Sequence, residues 1–314
     1  MRVLVTGGTG YLGAAIVRAL HARGHTPVVF ARHASAAGLP GVPHDGDVRD
    51  RPAIRRAAAE ADAIVHAAAL VSIWRPVARE FDDVNVGGVR NVLDDARERG
   101  IRRIVYTSSF LALPPAGKSR PLEANDYQRT KVRALEEVRA AAGAGLPVVT
   151  LFPGVVYGPG AETEGNLVSR LIRDHLQGRL PGLIGADRRW SYTYVDDLAS
   201  AHVEAVERAG ALGEYVVGGE NAPQMRVFEI VRDLTGRPLP RRLPFAAATA
   251  AAFVDEARAR WFGRPPLVTR GIVQIFRYDW PLNSERSARE LNYAITPLDA
   301  GVQRLLETGQ GIGG

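Results

Sequence analysis

The chain has no cysteine in 314 residues, which excludes disulfides, thiolate metal sites and cysteine nucleophiles. Its seven histidines show no ligand spacing; His21 and His25 straddle a helix end at Gly24, so no metal site is expected. No Gly-x-Ser-x-Gly string occurs, which argues against a serine hydrolase built on a nucleophile elbow. Long apolar runs are missing as well. The most apolar stretch, Phe245 to Val254, is about half of the ~20 residues that a membrane span needs. Long basic runs are missing despite a net charge of +6. Arginines come in scattered pairs (Arg55-Arg56, Arg102-Arg103, Arg188-Arg189, Arg241-Arg242) flanked by apolar or acidic residues, so no nucleic-acid stripe is expected. Strand-like sequence starts at Arg2, which leaves no room for a signal segment, and a cytoplasmic location is expected.

Lysine is scarce too. Of 40 basic residues only Lys118 and Lys131 are lysines. Lys131 stands four residues after Tyr127, which puts both side chains on one face of a helix. Arginine cannot replace a compact ammonium on a flexible stem beside a phenol.

The first half alternates strand and helix patterns. Arg2 to Thr6 reads as a buried strand, and Tyr11 to Arg23 as a helix closed by Gly24 at its C′ position. Further strands are expected at Pro27–Phe30, Ala63–His66, Arg103–Thr107 and Pro147–Leu151. Helices are expected from Phe81 to Arg99 and, capped by Asn125 or Asp126, through Tyr127 to about Ala142. This alternation predicts an α/β fold with a doubly wound parallel sheet, Rossmann-like. After Pro153 the pattern loosens. The expected division is a dinucleotide-binding domain over 1–153 with a returning segment at 193–218. A smaller, mostly helical substrate region takes 154–192 and 219–314.

Three motifs carry chemistry. The first is the loop Gly7, Gly10, Gly13 between the first strand and helix, with Tyr11 and Leu12 inside it. Glycines allow the tight turn and let backbone N–H groups reach a pyrophosphate at the helix N-terminus. The second is the end of the second strand. An acid is usual there for NAD, but Phe30-Ala31-Arg32-His33 has none, and Arg32 suits a 2′-phosphate, so NADP(H) is favoured over NAD(H). Asp47 and Val48 are candidates to edge the adenine. The third motif is Ser109, Tyr127 and Lys131. A free phenol ionises near pH ~10, and a nearby ammonium is expected to lower that value. Tyrosine then serves as a general acid or base, and Ser109 at a strand end can hold a substrate oxygen. Asp196 and Asp197 read as a helix cap. Trp74, Phe110, Trp190, Trp261, Phe262, Phe276 and Trp280, with Tyr157, are candidates for the rim of an apolar substrate pocket.

Several strings occur in one order over nearly the whole chain. They are Thr6–Gly13, His66-Ala67-Ala68-Ala69, Asn85-Val86-Gly87-Gly88, Tyr106-Thr107-Ser108-Ser109, Tyr127–Lys131, Pro153–Gly160, Tyr194-Val195-Asp196-Asp197 and Ser284–Tyr293. In these the chain resembles an extended short-chain dehydrogenase/reductase. It is most similar to the dihydroflavonol reductase-like, farnesol dehydrogenase-like branch. The resemblance implies Tyr127 as acid/base, with Lys131 lowering its pKa and holding the nicotinamide ribose. Ser109 would polarise the carbonyl, and Asn85 would support a water in a proton relay. Ala67 and Ala68 would line the cofactor cleft, and Pro153 and Gly154 would lie near the nicotinamide. A homodimer through the helices near 81–99 and 126–142 is also implied. The chain departs from the pattern between Ser109 and Tyr127, where only 17 residues intervene. The expected reaction is hydride transfer between nicotinamide and a carbonyl/alcohol pair on an apolar small molecule. The alternatives are a nucleotide-sugar epimerase or dehydratase with tightly held NAD, and a non-catalytic NADP-binding sensor.

Overall fold

The computed structural model describes residues 1–161 and 163–308. Residues 309–314, the end of the expected substrate region, lie outside the described residues. The chain opens with strand β1 (Arg2–Thr6), helix α1 (Tyr11–Ala22), β2 (Thr26–Ala31), β3 (Val42–Asp45), α2 (Arg51–Ala57) and β4 (Ala63–His66). Helix α3 (Arg79–Asp82) runs through a π-helical turn (Asp83–Gly87) into α4 (Gly88–Arg99), where Gly100 closes the helix in the left-handed conformation. Then come β5 (Ile104–Thr107), α5 (Asp126–Gly143), β6 (Val148–Pro153) and β7 (Val155–Tyr157). They are followed by α6 (Leu167–Leu176), β8 (Leu183–Ile184), β9 (Arg189–Tyr194), α7 (Val195–Glu207) and β10 (Gly213–Val217). The rest comprises β11 (Glu220–Pro223), α8 (Gln224–Thr235), β12 (Arg242–Leu243), α9 (Phe245–Phe262), α10 (Arg270–Ile275), α11 (Glu285–Glu290) and α12 (Leu298–Glu307).

Seven parallel strands form the central sheet in the order β3-β2-β1-β4-β5-β6-β10. Their near-continuous apolar sequences follow from burial on both faces. Val3 and Val5 point to the side of α1 and α7, and Leu4, Ile64 and Ile104 to the side of α2, α4 and α5. Chain order reverses between β1 and β4, and Thr6 lies opposite His66 at that point. In such sheets the crevice beyond the carboxyl ends of the strands at the reversal is where ligands bind.

Beyond Pro153 the chain builds a three-stranded sheet, β11-β9-β7, and a two-stranded one, β12-β8. Their core is aromatic: Phe110, Tyr157, Trp190, Tyr192, Tyr194, Phe228, Phe276 and Trp280 share one buried cluster. Asp196 and Asp197 sit in the first turn of α7 and do not cap it, a correction to the expectation. Asp197 instead accepts hydrogen bonds from Thr296 N (2.6 Å) and Oγ1 (2.8 Å), which ties the C-terminal segment to α7.

Candidate active site

The glycine loop is fixed by close backbone approach. Gly7 has φ +71°, and a Cβ there would lie 2.7 Å from Ala68 Cα. A Cβ on Gly13 would lie 2.0 Å from the Gly7 carbonyl oxygen. The loop, the start of α1 and the Ala67-Ala68 segment after β4 therefore touch backbone to backbone. Gly10 caps α1 without a side-chain hydrogen bond, and no acid stands in the first turn. The free N–H groups and the positive end of the helix dipole make an anion cradle. Tyr11 closes one side, donating to Gly158 O at 3.0 Å; Leu12 is half-buried beside it.

Arg32 lies exposed in the turn after β2. The nearby acids are already engaged. Asp45 accepts from Ser35 N (2.9 Å) and Oγ (2.6 Å). Asp47 accepts from Arg49 Nε (2.9 Å) and Nη2 (2.7 Å), and the Arg49 hydrogen bonds, with added charge from Arg32, hold its carboxyl below the usual carboxylate range. Arg49 joins this basic mouth and was not among the sequence candidates. Val48 turns its side chain into the core, and its carbonyl accepts from Asn91 Nδ2 at 2.9 Å.

Helix α5 carries Tyr127 and Lys131. Asn125 caps it through Gln128 N (2.8 Å), while Gln128 Oε1 accepts from Ala124 N (2.8 Å), a reciprocal arrangement close to a capping box. Gln128 is fully buried and donates from Nε2 to Leu111 O at 3.0 Å. It thereby pins the loop after β5 against α5. Ser109 lies two residues past the end of β5, a correction to the expected strand end; its Oγ accepts from Leu111 N at 3.2 Å, and its hydroxyl lies beside the Tyr127 phenol. Lys131 is buried; its Nζ donates to Thr107 O at 3.0 Å and lies 5.4 Å from the Tyr106 ring centre. Asn85 sits in the π-helical turn, a local widening frequent at functional sites. Its amide is committed: Oδ1 accepts from Leu70 N (2.7 Å), and Nδ2 donates to Leu70 O (3.2 Å) and Thr130 Oγ1 (3.0 Å).

A model of the NAD dependent epimerase/dehydratase family matches residues 3–218. The chain belongs to this family. Among its relatives is sterol demethylase protein B of Methylococcus capsulatus, 35% identical, with 94% of each chain covered. Another is 2-alkyl-3-oxoalkanoate reductase of Stenotrophomonas maltophilia, 31% identical over 97% of this chain and 98% of that one. Among solved structures, gox2253 superposes with a TM-score of 0.82 at 28% identity, covering 99% of this chain and 98% of the other. The chain is thus an NAD(P)-dependent oxidoreductase of the extended short-chain dehydrogenase/reductase type, with the Rossmann-like sheet read from its sequence. The uncapped start of α1 and the side-chain-free floor at Gly7 and Gly13 suit the dinucleotide that the family binds.

The electrostatics of Tyr127 and Lys131 run opposite to the expectation. Burial pushes the Tyr127 phenol up to about 12, only partly opposed by the neighbouring Ser109 hydroxyl. Burial also pulls the Lys131 ammonium down to about 8. Desolvation disfavours both charged forms, and the ammonium is directed at the Thr107 carbonyl. Beneath them lies a polar row that sequence reasoning missed. His66 Nδ1 and Thr6 Oγ1 are 2.7 Å apart, and burial, then the Lys131 charge, depresses His66 to about 3. It is neutral at any ordinary pH. Its signal was a histidine ending an otherwise apolar strand.

The aromatic candidates divide. Tyr157 is fully buried, packed edge-on against Tyr192 and Tyr194 and flush against Gly301, so it is core and not rim. Phe276 and Trp280 are buried too. Phe110 packs on Trp190 and Trp280, and Trp190 also lines a small apolar cavity of about 20 Å³ behind β7 and β9. Trp74 is half-buried beside Ser72. Trp261 and Phe262 stand out in solvent. A larger, polar cleft of about 160 Å³ is lined by Gly160, Thr163, Glu164, Asn166, Ser169, Arg170 and Arg173. Neither cavity is lined by Tyr127. Pro153 ends β6, and Gly154 N donates to Thr193 Oγ1 at 3.0 Å.

Proposed function

We propose that the chain moves a hydride between NADP(H) and a carbonyl/alcohol pair on an apolar small molecule, with Tyr127 as general acid and base. The observation that carries this reading is that α5 sets Tyr127 and buried Lys131 one turn apart, with Ser109 beside the phenol and Lys131 Nζ on the Thr107 carbonyl, at the strand ends that also carry the glycine cradle. When bound, the nicotinamide supplies or accepts the hydride at the substrate carbon. Tyr127, neutral at pH 7, gives its proton to the carbonyl oxygen, and Ser109 holds that oxygen. Lys131 holds the nicotinamide ribose. Asn85 positions the segment after β4 against α5, its side-chain amide being taken by Leu70 and Thr130. Gly7, Gly10 and Gly13 seat the pyrophosphate, with Tyr11, Leu12, Ala67 and Ala68 around it and Pro153-Gly154 near the nicotinamide. Asp47 and Val48 edge the adenine.

Arg32 and Arg49, with no free acid beside them, favour a 2′-phosphate and hence NADP(H). Apolarity of the substrate is supported by the relatives named for sterols and alkyl oxoalkanoates and by Phe110 and Trp190 near Tyr127. The same reading divides the chain into a dinucleotide domain (1–153 with 193–218) and a substrate region. It also includes a cytoplasmic location and a homodimer through α4 and α5. The test is oxidation of NADPH and of NADH by the pure protein against a panel of apolar aldehydes and ketones. Turnover with NADPH preferred is expected. Tightly co-purified NAD with no net cofactor consumption would assign the chain to epimerisation instead.

A further inference from the structure

Helix α9 is apolar on two opposite faces. Ala248, Ala252 and Ala259 are buried, the first two against Val273 of α10 and the neighbouring Ile184, Phe245 and Val268. The other face carries Ala246, Ala250, Phe253, Val254, Ala257 and Trp261, at the spacing of a single helical stripe. Phe253 is 62% exposed, Val254 56% and Trp261 82%. Leu267 (90%) adds apolar surface from the following turn, where its N donates to Asp255 Oδ2 at 3.0 Å and so folds back beside the helix. Single exposed apolar residues are ordinary, but Phe253, Val254 and Trp261 together on one helical stripe mark an interaction site.

Arginines outnumber acids around this patch. Between Phe245 and Tyr278 the only acids are Asp255 and Glu256, and both are engaged within the hairpin. Asp255 accepts from Leu267 N and Arg258; Glu256 accepts from Arg270 N (2.7 Å) and Nε (2.8 Å). Arg260 and Arg264 are exposed and form no ion pair among the described residues. A second copy of this face would bring Arg260 and Arg264 against their own like, with both acids of the hairpin already engaged. An anionic lipid surface offers hydrocarbon for the aromatic side chains and phosphates for the arginines.

We propose that the outward face of α9 docks on an anionic lipid surface, with Phe253, Val254 and Trp261, joined by Leu267 of the following turn, entering the headgroup–acyl boundary and Arg260 and Arg264 on its phosphates. At 18 residues, α9 lies on the surface; no helix among the described residues is long and apolar enough to cross a membrane. The same hairpin borders the reaction site. Gly271 of α10 packs so closely on α5's approach that a Cβ would lie 2.3 Å from Ala124 O, and Ile272 joins the cluster that includes Tyr127. A docked enzyme would thus meet apolar substrates where they concentrate, a consequence that rests on the reaction proposed above.

The test is co-sedimentation of the full chain with vesicles of phosphatidylcholine, alone or with roughly one-third phosphatidylserine. Binding to the anionic vesicles is expected, weakened by salt and by the paired change Arg260→Gln/Arg264→Gln. The pair Trp261→Ser/Leu267→Ser, at exposed positions, is expected to keep the melting temperature and lose vesicle binding by about tenfold or more. Three results would overturn the assignment. One is no wild-type binding, or binding no stronger with phosphatidylserine. Another is full binding by the Trp261→Ser/Leu267→Ser variant. The third is light scattering in which this variant splits a wild-type dimer, which would give the face to a second copy. None of these readouts depends on turnover, so failure here is distinct from failure of the proposed reaction.

Discussion

Gly7, in the loop after β1, and Tyr157, in the layer beyond Pro153, are both packed without spare room, but for different reasons. Around Gly7 the contacts are backbone on backbone, with Ala68 and Gly13 against it, so no other residue type can take its place. Around Tyr157 the contacts are rings on rings, with Tyr192, Tyr194 and Gly301 sharing one aromatic core. The first kind of packing leaves a cradle open to a ligand's charge; the second fills space. Glycine spacing in this chain reports close backbone approach, whereas aromatic content mostly reports a core. The most exposed aromatic residues, Phe253, Trp261 and Phe262 of α9, stand in solvent.

The strongest way to break this contrast is Gly13→Ala. Its methyl would collide with the Gly7 carbonyl. Equilibrium titration is expected to give a dinucleotide affinity at least ~100-fold weaker, and thermal melting a stability loss of roughly 1–3 kcal/mol. Wild-type affinity would mean that the cradle does not bind the pyrophosphate.

Lys131→Met sharpens the contrast within the sheet edge, because it separates function from stability. Reductive turnover is expected to fall by about 100-fold or more. The ammonium is held down at about 8 in the folded chain, against ~10.4 when unfolded. Between those values the unfolded chain binds the extra proton, so wild-type stability should rise with pH there, relative to below about 8 where the buried charge costs most. Melting temperatures of both proteins across that window check the sign; the variant should lack the rise.

A smaller effect is expected on the wild-type pH profile. As Lys131 loses its proton above about pH 8, kcat/KM for reduction should decline, while Tyr127, at about 12, stays a competent acid. A profile flat to pH 10 would remove Lys131's charge from the reaction.

The smallest belongs to the other region. Tyr157 Oη is buried without a hydrogen-bond partner among the described residues. Tyr157→Phe should therefore change stability by no more than about 0.5 kcal/mol and leave turnover as it is. A large loss of turnover would return Tyr157 to the substrate pocket.

How far the sequence could be read follows from the same physics. β1, the glycine loop, α1 and the Asn125 cap were legible because turn glycines, buried apolar runs and capping residues act locally. Strand β3 was not, since Val42-Pro43-His44-Asp45 lies on a sheet edge and has no run of buried residues. Helix α2 is seven residues long, and α6 is apolar at 167, 168, 171, 172 and 176 but sits among Gly, Pro and Arg. In the candidate site, Ser109, Tyr127 and Lys131 could be brought together from strand ends and helix spacing. The roles of Gln128 and His66 could not, because each depends on partners 17 and 60 residues away. Nor could the direction of the Tyr127 shift, which burial decides and spacing does not reveal.

The most direct measurement is single-turnover NADPH oxidation by wild type and Tyr127→Phe against an apolar ketone, with NADPH affinity measured alongside. The account predicts equal NADPH binding and a rate lowered by about 100- to 10,000-fold in the variant. A Tyr127→Phe protein that binds NADPH and oxidises it at the wild-type rate would contradict it.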